Sequence, residues 1–183
     1  MAFGTPADLE SWLRLHHATA TELWVRLFKK DSGRPSVTWA DCVVACIAWG
    51  WIDGQRLSLD DVSFLQRLTP RRAKSNWSKK NTEHAERLMA EGRMQPAGLL
   101  HVEAARRDGR WGRAYSGSAG MVLSDDFLKV LKKKPKAKTF FESLNRQNQF
   151  AFYVRVETAK SADTRKKRIN DLVARLERGE AFH

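Results

Sequence analysis

Apolar side chains recur along this chain with two different periods, and the switches between those periods sketch its elements. Leu9, Trp12, Leu13 and His16 fall at i, i+3, i+4 and i+7, one face of a helix over roughly 6–18. Thr5, Pro6 and Asp8 supply its start: a capping hydroxyl, a proline at the first helical position and an acid in the first turn. Residues 22–29, ELWVRLFK, are rich in bulky β-formers and stop at DSGRP, which predicts a strand. Thr38 and Asp41 repeat the capping pattern, and WADCVVACIAWG stays apolar until Gly50, which predicts a buried helix with a glycine stop. Beyond it, Leu57 and Leu59 alternate with polar residues, and Val62, Phe64 and Leu68 share a second strand face across an Asp60-Asp61 turn. This is the pattern of a β-hairpin.

The second strand ends at Pro70, and the stretch TPRRAKSNWSKKN, residues 69–81, leads into a helix expected to be capped by Asn81. Residues 96–109 form another helix between Pro96 and Gly109, and YSGSAGMVLSDD reads as a loop with the softest boundary near 116–125. Three helical segments follow: DDFLKVLKKK, then 137–160 with a break near Asn145, then 162–178. In the last of them Asp163 can cap, Gly179 stops the helix, and Ile169, Leu172, Val173 and Leu176 make an apolar stripe able to pack back onto the first part. The sum is an α+β protein: a small antiparallel sheet packed with helices over 1–120, then a helical segment over 121–183.

Charge changes the picture more than composition does. The 183 residues carry a formal net charge of +12, which draws phosphates, nucleic acid, anionic lipid or acidic proteins through a salt-screened field. From Val62 to Thr82 there is no acid, while Arg67, Arg71, Arg72, Lys74, Lys79 and Lys80 accumulate. A second cluster, Arg165 to Arg168, opens the last helix, where the helix dipole disfavours cations. The N-terminus has neither the basic nor the apolar region of a secretory leader, and no apolar run is long enough to span a membrane, so a cytoplasmic protein is expected. Cys42 and Cys46 sit one helical turn apart in an apolar stretch and read as inert core thiols.

Three stretches, GWIDG at 50–54, the 69–81 run leading to GRMQPAG, and AKSADTRKKRI at 159–169, together resemble the bacterial YdeI or OmpD-associated family of bacteriocin-protection proteins. The resemblance runs from ESWL to the final helix. It implies a role in tolerance of bacteriocins or cationic antimicrobial peptides, with an outer-membrane protein as a possible partner, and brings no catalytic mechanism. At this net charge, simple sequestration of a cationic peptide is electrostatically unfavourable.

The 69–81 run reads in two ways. One is a solvated basic connection with Trp77 in the core. The other is a site for a phosphate-containing or acidic ligand: Arg71, Arg72 and Lys74 supply charge, Ser75, Asn76 and Ser78 supply neutral donors, and the helix amides after Asn81 point the same way. Asp53 is either the turn residue of an Asp-Gly pair or a carboxylate beside the basic run, and in the latter case a candidate catalytic base. Thr164, Arg165 and Arg168 are either a cap and a charged helix face or a second half of the anion site. No G-x-G-x-x-G, P-loop, H-E-x-x-H or G-x-S-x-G occurs, and the histidines lack metal-ligand spacing. No cofactor or metal is expected, and a non-enzymatic binding protein is favoured over an enzyme acting on a phosphorylated or acidic small molecule, with non-specific nucleic-acid binding as a third reading.

Overall fold

Thr5 and Thr38 open helices by the same local device. In each, the threonine hydroxyl accepts the amide of the aspartate three residues on, and the aspartate carboxylate accepts the threonine amide, at 2.9 Å for Thr5 and 2.8 Å for Thr38. Two of the orphan amides at each helix start are thereby satisfied. In the computed structural model, which describes residues 1–182, these helices are α1 (Pro6–His16) and α2 (Trp39–Ala48).

Between and after them run β1 (Leu23–Phe28), β2 (Trp51–Asp60) and β3 (Ser63–Pro70), an antiparallel sheet in the order β1-β3-β2. The helices α3 (Lys79–Ala90) and α4 (Pro96–Arg107) follow, then α5 (Asp125–Lys132), α6 (Pro135–Ser143), α7 (Arg146–Glu157) and α8 (Ala162–Glu177). The architecture is α+β, as the hydrophobic pattern predicts. Among the described residues no helix is long and apolar enough to cross a membrane.

The chain forms two units, one of residues 1–75 and 81–111, the other of residues 76–80 and 112–182. In the first, Leu9 and Leu13 of α1, Leu23, Val25 and Leu27 of β1, Cys42 and Cys46 of α2, Trp51 and Leu68 share one core. The second has its own core, in which Phe127, Phe141 and Phe152 meet the α8 stripe of Ile169, Leu172, Val173 and Leu176. That stripe is therefore consumed by its neighbours α5, α6 and α7.

Several local expectations are corrected. Leu57, Leu59 and Val62 are 40%, 47% and 39% exposed, and every residue from Gly54 to Val62 is exposed with them. Asp53 and Gly54 do not turn the chain: Asp53 pairs with Leu68 inside β2, and one extra residue bulges out before Arg56 pairs with Gln66. The buried Gln66 side chain reaches into this bulge and donates to the Gly54 carbonyl at 2.9 Å. The α3 helix begins at Lys79, which puts Asn81 in its first turn rather than at its cap. Ser161, and not Asp163, caps α8, and Asn145 caps α7 across the break expected there.

Candidate functional site

The first half of the basic run is built into a corner of the first unit. Where β3 ends, the Arg71 amide donates to the Gly50 carbonyl at 2.9 Å, tying the run to the end of α2. Gly50 has φ of 72°, and a Cβ there would lie 2.7 Å from the Ala97 carbonyl oxygen and 3.1 Å from the His101 ring, so only glycine lets α4 come this close. The other end is held by Arg110, whose Nη1 donates to the Ser75 carbonyl at 2.6 Å while its Nε meets the Asp108 carboxylate at 2.8 Å. Within the run the Ser75 amide closes on the Arg72 carbonyl at 3.0 Å. Arg71 and Arg110 are 4% and 7% exposed, and between them Arg72 and Lys74 stand exposed.

The electrostatics place further groups here. Burial, then the Arg71 and Arg110 guanidiniums, depress the His101 pKa, so its imidazole stays neutral at pH 7. Burial pushes the Cys42 thiol up to about 12, with the Asp41 and Asp53 charges adding to the rise. Cys46 is raised by burial first, then by Cys42 and Asp53, while Arg71 pulls it back. Asp53 and Arg71 thus act on the same thiol with opposite sign, and the thiols themselves are protonated core groups, unsuited to nucleophilic or redox work. The Asp53 carboxylate accepts the Trp39 indole N–H at 3.0 Å.

The rest of the run belongs to the second unit. Ser78 forms an isolated parallel bridge with Tyr115, in which the Tyr115 amide donates to the Trp77 carbonyl at 3.1 Å and the Lys79 amide to the Tyr115 carbonyl at 2.8 Å. Trp77 is buried at 2% exposure, Asn76 is exposed, and Ser78 is half-buried. A run continuous in sequence is therefore divided, with Arg71, Arg72, Lys74 and Ser75 in one unit, as is Asn81, and Asn76, Trp77 and Ser78 in the other.

Thr164, Arg165 and Arg168 work inside the second unit. The Ser161 hydroxyl caps α8 by accepting the Thr164 amide at 3.2 Å. Arg165 pairs with Asp126 at 2.6 Å and Glu157 at 2.9 Å and donates to the Val156 carbonyl at 3.0 Å. Arg168 donates to the Arg155 carbonyl at 2.9 Å and to the Thr158 hydroxyl at 3.3 Å. These two guanidiniums bind α8 to the start of α5 and the C-terminal end of α7, whose orphan carbonyls favour cations.

Arg110 and His101 are the members that sequence reading misses. Nothing in RRDGRWG signals that residue 110 reaches residue 75; the glycine at 50, where α4 makes its close approach, is the one local hint. Among the described residues no group of three or more His, Cys, Asp or Glu side chains is arranged to hold a metal ion.

Compared with known families, residues 1–101 match the one described as a domain of unknown function (DUF8412), and residues 121–179 match the one described as bacteriocin-protection, YdeI or OmpD-associated. The YdeI resemblance is thus found in the helical stretch that contains AKSADTRKKRI, while GWIDG and the basic run fall in the other match. No curated protein and no solved structure matches the chain. With 101 of 183 residues matched by the first family, the chain belongs to DUF8412, and residues 121–179 after it are similar to the YdeI or OmpD-associated family.

Proposed function

We propose that this chain is a binding protein, without catalytic chemistry of its own, that holds the phosphate or carboxylate of a ligand or partner at the Arg71–Ser75 turn and serves tolerance of bacteriocins or antimicrobial peptides. The observation that carries the reading is a turn held between two buried arginines, Arg71 at its start and Arg110 on the Ser75 carbonyl, that presents Arg72 and Lys74 to solvent. Arg110 is answered by Asp108, and an anion seated on the exposed Arg72 and Lys74 adds charge-assisted hydrogen bonds at a corner rich in guanidinium charge. Arg110 also fixes the turn through the Ser75 carbonyl, so the exposed cations are presented on a backbone that is already ordered. Asp53, the candidate base, is engaged by the Trp39 indole, which suits a structural carboxylate better than a proton acceptor. The tolerance role is supported by the description of the family matched over residues 121–179.

The test titrates inorganic phosphate and pyrophosphate by calorimetry against the wild type and the double variant Arg72→Ala, Lys74→Ala. Both residues are exposed, so the fold survives, and affinity is expected to fall at least about tenfold. Equal affinity in the two proteins overturns the site. A strain lacking the protein and complemented by the same variant is expected to remain sensitive to a cationic antimicrobial peptide.

A further inference from the structure

A cleft in the first unit lies at the Phe28 end of β1, the end opposite to where β3 leads into the Arg71–Ser75 turn. Its volume is 380 Å³, within the roughly 300–1,000 Å³ of small-molecule sites. One side is apolar and aromatic, made by Leu27, Phe28, Val37, Trp39 and Phe64, and Trp39 is 46% exposed there. The other side carries Lys29, Lys30 and Arg34, and no carboxylate lines the cleft; Asp31, on the same 3-10 turn, is not part of its wall.

The strap that carries these cations is pinned. Ser36 accepts the Phe28 amide at 3.2 Å and donates to the Val37 carbonyl at 3.0 Å, and the Lys29 amide donates to the Val62 carbonyl at 2.8 Å. Gly33 turns the strap with φ of 67°, a left-handed conformation that a side chain would strain. Among the described residues no acid pairs with these cations. The Lys29 ammonium meets only the Asp61 carbonyl, at 2.9 Å, the Arg34 guanidinium lies 5.4 Å from the Phe28 ring centre, and none of the ion pairs among the described residues includes Lys29, Lys30 or Arg34.

From this cleft we infer a binding site for a small aromatic phosphate: a planar ring against Trp39, since the Phe64 ring is already covered by the Arg56 guanidinium at 3.7 Å, and its phosphate on Lys29, Lys30 and Arg34. Ring and charge are both required by the wall. An apolar surface with an exposed indole takes a π-face, while three cations without a carboxylate suit a dianion better than a singly charged group. Size sets the upper limit, because the cleft holds one ring and one phosphate, which points to a mononucleotide or an aryl phosphate and away from a polymer.

The probes are adenosine monophosphate, phenyl phosphate, adenosine and inorganic phosphate, followed by the shift of the Trp39 indole N–H signal in two-dimensional NMR spectra and by calorimetry. The two aromatic phosphates are expected to move that signal and to bind at least about tenfold more tightly than adenosine or phosphate alone. The Lys30→Ala, Arg34→Ala variant, altered only at exposed positions, is expected to lose that difference and keep its unfolding transition. Equal binding of inorganic phosphate and adenosine monophosphate overturns the inference. So does an unchanged double variant, or an oligonucleotide that binds more tightly per nucleotide than the mononucleotide. The inference and the Arg71–Ser75 turn fail separately, since Arg72→Ala, Lys74→Ala leaves this cleft intact.

Discussion

The arginines show how little a residue type says about its use. Arg165 and Arg168 open a helix where cations are disfavoured, which in the sequence looks like a cost accepted for a ligand; in the structure both are spent on Asp126, Glu157 and the carbonyls at the end of α7. The acid that explains Arg165 lies 39 residues away, beyond any local pattern. Hydrogen bonding from Arg165 holds the Asp126 carboxyl well below the usual carboxylate range. A carboxyl depressed in the folded state contributes stability above its unfolded pKa, about 3.9, and loses it as pH falls through the folded value. Asp126→Asn is therefore expected to lower stability at neutral pH by about 0.5–1 kcal/mol, a range that allows for the solvent exposure of the pair. The gap to wild type should then narrow as pH drops below about 4 in a series of thermal melts. A gap that stays constant across that range would show that the ion pair is not its source.

Elements were legible wherever their signals were local. The Thr5–Asp8 and Thr38–Asp41 boxes, the glycine stops at 109 and 179 and the run of bulky β-formers in β1 can all be read within a few residues, and all are present. The hairpin was legible as an element but its buried face was not. Register shifts at Asp53–Arg56 and Ser58–Asp60 change which side chains face the helices, and β2 ends as an edge strand with Leu57 and Leu59 in solvent. Helix packing was equally invisible. A Cβ on Gly98 of α4 would collide with the Ala48 carbonyl and lie 2.6 Å from both the Ile47 carbonyl oxygen and the Met94 sulfur. Backbone cannot yield there as a flexible side chain would. Gly98→Ala, although alanine favours helices, is expected to destabilise the protein by roughly 1–3 kcal/mol in urea unfolding; a stabilised variant would mean that α4 does not rest on α2 as described.

At the scale of the molecule, net charge is a property of composition and site is not. The +12 charge alone predicts attraction to duplex DNA at low salt, losing orders of magnitude in affinity between about 50 and 200 mM salt as released counterions cease to drive it. Fluorescence anisotropy measures this directly, and binding that ignores salt would require base-specific contacts. Seen whole, the basic run is two things, a turn clamped by Arg110 and a bridge strand that belongs with Tyr115. By itself the sequence determined the element order, the α+β class, the burial of the two thiols and the surplus of positive charge, because caps, periodicity and charge are local or additive. Only the tertiary structure decided which cations are buried, paired or left facing a cleft, because a guanidinium finds its carboxylate or carbonyl across tens of residues, through packing that no spacing rule encodes.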